Sequence, residues 1–159
     1  MDRVLTIGIH GWNRESWICA LQATRCDLVV DIRARRGLRG HEYAFGNRAR
    51  LEALLRDAGI GYLHLPELAP SREMRDVQSV ADAASRQPKR SRTVLSEEFR
   101  RAYEQGIAAG VDWADLVRRV DGVTPALLCV ERLPTACHRS IAASRLAASA
   151  GVRVEDLIP

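Results

Sequence analysis

Reactive side chains are concentrated in one segment of the chain, LLCVERLPTACHRSIAASRL, at residues 127–146. The segment contains two thiols, a carboxylate, an imidazole and a guanidinium, which belong to Cys129, Glu131, Cys137, His138 and Arg139. A thiol can attack as a nucleophile or bind a metal, an imidazole can also carry a proton, and a guanidinium can hold an anion. The segment therefore indicates a metal site, a thiol nucleophile, an anion-binding helix start, or only the packed end of a strand.

The metal interpretation depends on Cys129, Cys137 and His138, which carry the sulfur and imidazole ligands that zinc prefers. Their spacing is not that of a zinc ribbon or a zinc finger, and only the fold could bring His10 or His64 to a fourth position. We therefore assign no metal and no cofactor from the sequence. A metal-dependent or thiol-dependent enzyme remains an alternative.

The nucleophile interpretation depends on Cys137, because a thiol at a helix N-terminus beside Arg139 has a lowered pKa. The phosphatase pattern, in which an arginine follows the cysteine after five residues, is absent, since Thr135 and Ala143 occupy the corresponding positions. The opposing interpretation is that Cys129 and Cys137 are small buried thiols, as cysteines beside an apolar strand commonly are.

The anion interpretation depends on the start of the same helix, where unpaired backbone N–H groups could hold a phosphate or a carboxylate. Arg139 and Arg33 could add charge-assisted hydrogen bonds to that anion. The alternative is that Arg139 pairs with Glu131 or Asp31 and only fixes the loop.

Polar groups also follow the other predicted strands. His10 and Asn13 follow the first strand, Asp31 and Arg33 end the second, and Glu67 follows the third. Because ligands bind beyond the carboxyl ends of the strands in open α/β sheets, we expect these groups to meet the 127–146 segment at one edge.

Proton-transfer roles are available at that edge. Asp31 or Glu131 would act as a base or as an electrostatic stabiliser, and partial burial would raise the pKa of such carboxylates. His138 or His10 would relay a proton. Which of these groups face each other depends on the fold.

The elements that position these residues follow from apolar runs that alternate with helical periodicity. Strands are predicted at 3–10, 27–33, 61–68, 125–131 and 152–159. Helices are predicted at 14–24, capped by Asn13, at 48–59, capped by Asn47, and at 97–109, 112–120 and 137–150, with short helical pieces over 71–84. This order predicts a single α/β domain, over 1–159, with a mostly parallel sheet of about five strands and helices on both faces.

Composition supports a folded domain. The chain has 159 residues, of which 47% are hydrophobic, so it can bury a core. We expect a cytoplasmic protein that does not engage a membrane, because no apolar segment is long enough to cross a bilayer and MDRVLTIGIHGW does not resemble a signal peptide. The cysteines should be reduced, and Cys19 and Cys26 are predicted to be core thiols.

Basic residues are clustered. Lysine and arginine number 24 against 20 acidic residues, which gives a net charge of +4. One cluster comprises Arg33, Arg35, Arg36 and Arg39, and a second, in a predicted flexible loop over 85–95, comprises Arg86, Lys89, Arg90 and Arg92. These clusters suit a phosphate-bearing small molecule or a nucleic acid, although solvated loops would look the same.

The stretches TIGIHGWN, VVDIRARR, YAFGNRARLEALLRDAGIGYLHLPELAP and LLCVERLPTACHRSIAASRL together resemble the bacterial and archaeal family called domain of unknown function 488. Its most specific motif, Cys-x-Glu followed by Cys-His-Arg, corresponds to Cys129, Glu131, Cys137, His138 and Arg139. Asp31, Arg33, Phe45, Tyr62, Leu65 and Leu68 also correspond. Two features depart from the pattern: a role for His10 requires a shift of one residue, and the loop at 35–47 lacks a proline. The resemblance implies the fold and the location of the site, and it implies no reaction.

We expect an enzyme of hydrolase or transferase type that binds a phosphate-bearing ligand, a nucleotide or a nucleic acid, at the carboxyl edge of the sheet. The predicted ligand-binding residues are Arg33, Arg36, Arg139, Asn13 and Cys129, and the predicted catalytic residues are Asp31, Glu131, His138, His10 and Cys137. The alternative of another class is a non-catalytic DNA- or RNA-binding module in repair or modification.

Overall fold

The computed structural model describes residues 1–86, 88 and 91–159, and it contains a five-stranded sheet in which every strand is parallel to its neighbours. The strands are β1 (Arg3–Ile7), β2 (Leu28–Asp31), β3 (Gly61–His64), β4 (Pro125–Leu128) and β5 (Arg153–Leu157). Their order across the sheet is β3-β2-β4-β1-β5. The predicted α/β architecture is confirmed.

The described residues form six α-helices: α1 (Arg14–Ala23), α2 (Arg48–Asp57), α3 (Arg72–Ala84), α4 (Glu97–Gly106), α5 (Trp113–Arg119) and α6 (Arg139–Ala150). Short 3-10 helices at His41–Gly46, Pro66–Leu68, Ala108–Gly110 and Pro134–Ala136 connect them. Within the described parts of the chain, none of these helices has the length and apolar character that a membrane span needs.

Helices cover both faces of the sheet, as predicted. On one face, Leu5 and Val29 pack with Trp17 of α1 and Leu51 of α2. On the other face, strand residues such as Val4, Val30 and Leu127 pack with Leu116 of α5 and Leu146 of α6. Because successive strand residues point to opposite faces, burial on both sides accounts for the uninterrupted apolar runs. Each fully buried side chain of this kind contributes about 1.5–3 kcal/mol.

The position of β4 brings the predicted site together. This strand lies between β2 and β1, so that Leu128 is paired in register with both Asp31 and Ile7. The backbone continues the pairing past the strand ends, because Ile32 N donates to Leu128 O at 3.1 Å and Cys129 N donates to Ile7 O at 3.2 Å. The carboxyl ends of β1, β2 and β4 therefore lie side by side.

Two local predictions are wrong. The Asn47 side chain does not cap α2; its Oδ1 instead accepts a 2.5 Å hydrogen bond from Leu38 N and so holds the preceding loop. Cys19, predicted to be a core thiol, is exposed on α1, whereas Cys26 is buried. Helical periodicity alone does not decide which side of α1 faces the sheet.

The basic loop predicted over 85–95 is described only in part. Gln87, Lys89 and Arg90 lie outside the described residues. Leu95 is buried, and Leu95 N donates to Thr135 O at 3.0 Å, which joins the end of this segment to the turn before Cys137.

Candidate functional site

The end of β2 carries a buried ion pair. Asp31 is 0% exposed and Arg33 is 3% exposed. The Arg33 guanidinium donates to both Asp31 oxygens, from Nε to Oδ1 at 2.8 Å and from Nη2 to Oδ2 at 2.7 Å. Its Nη1 donates to the carbonyl of Gly46 at 3.0 Å. The last residue of β2 and the residue two positions later thus satisfy each other in a bidentate pair.

Tyr62 on β3 completes this pair from the neighbouring strand. Its hydroxyl donates to Asp31 Oδ2 at 2.7 Å, and Arg36 Nη1 donates to the same hydroxyl at 3.4 Å. Burial raises the pKa of the Asp31 carboxyl, but the hydrogen bonds and charge of Arg33 and the Tyr62 hydroxyl lower it more, so the pKa lies below its ordinary value. The expected net rise of the pKa is therefore wrong for Asp31, and a carboxylate with engaged oxygens is unsuited to act as a base.

The end of β4 carries the second buried group, formed by Cys129, Cys137 and His138. Their sulfur and ring nitrogen atoms all lie within 4.8 Å of one another. Cys129 is 7% exposed, Cys137 is 1% exposed and His138 is 7% exposed. The last helix was predicted to begin at Cys137, but α6 begins two residues later, at Arg139. Cys137 instead follows the 3-10 helix Pro134–Ala136.

The two thiols differ in acidity. The hydrogen bond to Cys137, together with burial, raises the pKa of Cys129 well above its ordinary value. Burial also raises the pKa of Cys137, but the hydrogen bond from Cys129 and the nearby His138 and Arg139 lower it well below its ordinary value. This direction agrees with the low pKa predicted for Cys137.

Arg139 lies beneath this group and is 0% exposed. Its Nη1 donates to the Glu131 carbonyl at 2.5 Å, its Nη2 to the Arg132 carbonyl at 3.0 Å, and its Nε lies 3.4 Å from the Thr6 hydroxyl. Arg139 was predicted to contact the ligand, but a fully buried guanidinium directed at protein oxygens instead holds the loop that follows β4. The prediction that it fixes this loop describes its placement better.

Gly8 explains how that loop approaches β1. A Cβ atom at this position would collide with the Glu131 carbonyl oxygen and would lie 3.4 Å from Arg139 Nη1. Only glycine allows the loop after β4 to come this close.

Arg92 is a site residue that sequence reasoning did not single out. Its side chain is 8% exposed, and its Nη1 donates to Asp82 Oδ2 at 2.8 Å, while Nη2 lies 3.6 Å from Glu131 Oε1. Both Nε and Nη2 donate to the Ala136 carbonyl at 3.2 Å. In the sequence, Arg92 stood out only as a member of the second basic cluster. The sequence of such a cluster does not distinguish a buried arginine from a solvated one.

A cavity of about 790 Å³ opens over the two buried groups, which is a volume suited to a small organic ligand. Cys129, Glu131, Cys137, His138 and His10 line it. Six arginines also line it, namely Arg33, Arg35, Arg39, Arg72, Arg75 and Arg92, against the carboxylates of Asp76 and Glu131 among the described residues. Arginines therefore outnumber carboxylates in the described lining, although Arg33 and Arg92 are paired with buried carboxylates.

Two of these arginines, Arg72 and Arg75, come from the first turn of α3 and were not predicted. Ser71 caps this helix by accepting a hydrogen bond from Met74 N at 3.3 Å. The cap and the spacing of three residues, which places both arginines on one helix face, were visible in the sequence. Nothing local indicated that this face turns towards the sheet edge.

The remaining predicted residues have distinct positions. His10 lines the cavity, and its ring centroid is 4.7 Å from that of Tyr43. Asn13 caps α1 by accepting from Ser16 N at 2.8 Å, and Arg36 pairs with Glu52 at 3.3 Å. Neither Asn13 nor Arg36 is among the described residues that line the cavity, so their predicted contact with the same ligand is not supported.

The chain belongs to the family described as Domain of unknown function DUF488, whose model matches residues 14–146, most of the protein. The predicted resemblance is thereby confirmed at the level of the family. No curated protein and no solved structure matches the chain. The matched range includes both buried groups, whereas His10 and Asn13 precede it.

Proposed function

We propose that this DUF488-family protein is an enzyme that binds a phosphate-bearing ligand, a nucleotide or a nucleic acid, in the arginine-lined cavity and catalyses a hydrolysis or a transfer there. The observation that carries the proposal is the lining of the cavity, in which six arginines face two carboxylates among the described residues. Such an excess of guanidinium groups suits phosphate because each can donate two parallel hydrogen bonds to its oxygens.

The arginines of the cavity divide into two sets. Arg33 and Arg92 are buried and paired with carboxylates, so they shape the floor and contribute little net charge. Arg35, Arg39, Arg72 and Arg75 are exposed at the rim and supply the charge that attracts a ligand. The rim therefore binds the phosphate groups, and the floor meets the part of the ligand that reacts.

Four of the residues predicted to be catalytic, His10, Glu131, Cys137 and His138, line the cavity. Among them we assign proton exchange to Glu131 and His10. Glu131 Oε1 lies 3.6 Å from Arg92 Nη2, and a carboxylate at the cavity wall can accept a proton from a ligand. Asp31 instead takes a positioning role, since both of its oxygens are bonded within the protein.

Binding is tested by fluorescence anisotropy with a labelled oligonucleotide and by competition with nucleoside mono-, di- and triphosphates. Four phosphate contacts at the rim predict that affinity falls on the order of a hundredfold between about 50 and 200 mM salt. Arg72→Gln should weaken binding severalfold and reduce the salt slope by about one.

Arg101→Gln is the matched control. Arg72 and Arg101 each form an exposed ion pair at 3.9 Å with the acidic residue one turn away on the same helix, Asp76 for Arg72 and Glu97 for Arg101. Arg101 is not among the described residues that line the cavity. Equal loss of affinity in both variants, or binding that does not respond to salt, would contradict the proposal.

Catalysis is tested by incubating the protein with the ligands that bind and detecting cleaved or transferred products by mass spectrometry. Product should form with the wild type, and Glu131→Gln should abolish it while leaving ligand affinity within severalfold. Tight binding without any product in the wild type would favour the non-catalytic nucleic-acid-binding module over the enzyme.

A further inference from the structure

We propose that Cys129, Cys137 and His138 bind a zinc ion through Cys129 Sγ, Cys137 Sγ and His138 Nδ1, and that the fourth coordination position opens into the arginine-lined cavity. Zinc binding itself does not depend on the proposed function, because the three ligands would form the site without any substrate. Their spacing along the chain is unlike that of known zinc motifs, and only the fold brings them together.

The two sulfur–nitrogen separations are close to those of a tetrahedral site, and all three ligand atoms lie within 4.8 Å of one another. Bond lengths of about 2.3 Å to sulfur and about 2.05 Å to nitrogen place a ligating sulfur and nitrogen about 3.6 Å apart. The sulfur atoms of Cys129 and Cys137 lie 3.8 Å and 3.9 Å from His138 Nδ1. Small side-chain adjustments would close the remaining difference.

The orientation of the imidazole supplies a second, independent argument. His138 Nε2 lies 3.4 Å from the carbonyl oxygen of Ile32. A carbonyl can only accept a hydrogen bond, so protonation at Nε2 would satisfy it and leave the lone pair of Nδ1 for a metal ion. Cys129 Sγ lies 3.8 Å from Nδ1 and 4.0 Å from Nε2, so the ring would turn slightly to direct Nδ1 at an ion shared with both sulfurs. Histidines that bind metals commonly donate their other ring N–H to a backbone carbonyl in this way.

The backbone that carries these ligands is fixed by hydrogen bonds of its own. Cys129 N donates to Ile7 O at 3.2 Å in the sheet, and Cys137 N donates to Pro134 O at 3.0 Å in the turn. His138 O accepts from Ile141 N and from Ala142 N in the first turn of α6 at 3.1 Å. The site is therefore largely formed before an ion arrives, which reduces the cost of binding.

The chemistry of the ligands selects the ion. Two thiolates neutralise the charge of a divalent ion, which suits a group that is almost completely buried. Sulfur and imidazole ligands in tetrahedral arrangement favour zinc over magnesium, calcium and manganese, which prefer oxygen.

Three protein ligands at the wall of a cavity are typical of zinc sites that take part in catalysis, in which water or substrate occupies the fourth position. All three residues line the cavity. If the proposed function is also right, the three residues would hold a zinc ion at the wall of the ligand cavity, where it could activate water for a hydrolysis.

The first experiment measures metal content. Protein purified without a polyhistidine tag is saturated with zinc and dialysed. Its zinc content is then measured by inductively coupled plasma mass spectrometry. We expect one zinc per chain in the wild type and in Cys19→Ser, whose cysteine is exposed on α1. We expect at least a tenfold loss of zinc affinity in Cys129→Ser and in His138→Gln.

The second experiment uses only the wild type, so it does not depend on whether the variants fold. Cobalt is substituted for zinc, and the spectrum should show thiolate charge-transfer bands together with the intense visible bands of tetrahedral cobalt. X-ray absorption at the zinc edge should give two sulfur and two nitrogen or oxygen neighbours. Binding of less than a tenth of an equivalent, or a metal shell without sulfur, would overturn the inference.

The result is separable from that of the proposed function. A protein that binds nucleotides but no zinc would retain the cavity and leave Cys129 and Cys137 as a hydrogen-bonded thiol pair. A protein that binds zinc but no phosphate-bearing ligand would retain the metal site and remove the proposed function.

Discussion

At the end of β2, the Asp31–Arg33 pair directs its hydrogen bonds to partners within the protein, to Tyr62 and to the carbonyl of Gly46. At the end of β4, two thiols and one ring nitrogen, from Cys129, Cys137 and His138, lie within 4.8 Å of one another. Both groups are buried, and they lie side by side at one edge of the sheet. The first is complete without a ligand, whereas the second would gain most from a partner that all three atoms share. Burial of polar groups therefore does not by itself identify a site, and the partners that each group has within the protein must be compared as well.

The largest effect on stability should come from breaking the Asp31–Arg33 pair at the end of β2. Asp31→Asn leaves the Arg33 guanidinium buried without its carboxylate, and we expect the free energy of unfolding to fall by about 3–5 kcal/mol, measured in urea at neutral pH. Glu97→Gln, which breaks the exposed pair with Arg101, should change it by less than about 0.5 kcal/mol. A small loss of unfolding free energy in Asp31→Asn would show that the Asp31–Arg33 pair does not stabilise the end of β2.

The same variant tests the low pKa of Asp31. Because the folded-state pKa lies below the unfolded value, this carboxylate stabilises the fold at neutral pH, and that stabilisation is lost as the pH falls through the folded-state pKa. The wild type should lose it below about pH 4, whereas Asp31→Asn should lack this component of acid sensitivity. Parallel acid titrations of stability in the two proteins would contradict the assignment.

A smaller effect on stability should come from zinc binding to Cys129, Cys137 and His138 at the end of β4. Zinc at a hundred times its dissociation constant should raise the free energy of unfolding of the wild type by about 2.7 kcal/mol, and a chelator should reverse the change. Tyr62→Phe should still gain the same unfolding free energy from zinc, because Tyr62 bonds to Asp31 and is not one of the metal ligands. An equal increment in Cys129→Ser would place the ion elsewhere.

The smallest effect on stability should come from removing either of two tyrosine hydroxyls. Tyr62 donates to Asp31 Oδ2 and Tyr103 donates to the carbonyl of Leu68, both at 2.7 Å. Tyr62→Phe should cost about 1.5 kcal/mol at neutral pH and less once Asp31 is protonated. Tyr103→Phe should cost about 1 kcal/mol with no such dependence on pH, which urea titrations at several pH values would measure.

The fold was predictable because its signals are local. Uninterrupted apolar runs separated by helical periodicity define a parallel sheet covered on both faces, and every predicted strand is present with shorter bounds. The order of the strands was not predictable, since the insertion of β4 between β1 and β2 depends on contacts between distant parts of the chain. The sheet edge nevertheless followed from the rule that parallel strands end together.

The site was predictable in its location and not in the roles of its charged residues. Arg139 and Arg72 are both arginines near the start of a helix, yet the first is fully buried and the second is largely exposed. Which orientation occurs depends on whether space exists beneath the helix, as it does where Gly8 admits the loop after β4. Cys129 and Cys137 similarly form one group only because the turn between them folds back.

The position of β4 also determines when the sheet edge with the candidate site can form during synthesis. β1 and β2 are not neighbours in the sheet, and each pairs with β4, whose residues are translated well after both. The contact between Ile32 and His138 spans 106 residues. The first two strands thus lack their shared partner until β4 leaves the ribosome, and the cavity and the group of Cys129, Cys137 and His138 form only after that step. A chain interrupted before β4 could still form the Asp31–Arg33 pair with Tyr62, but it would lack Cys129, Cys137 and His138.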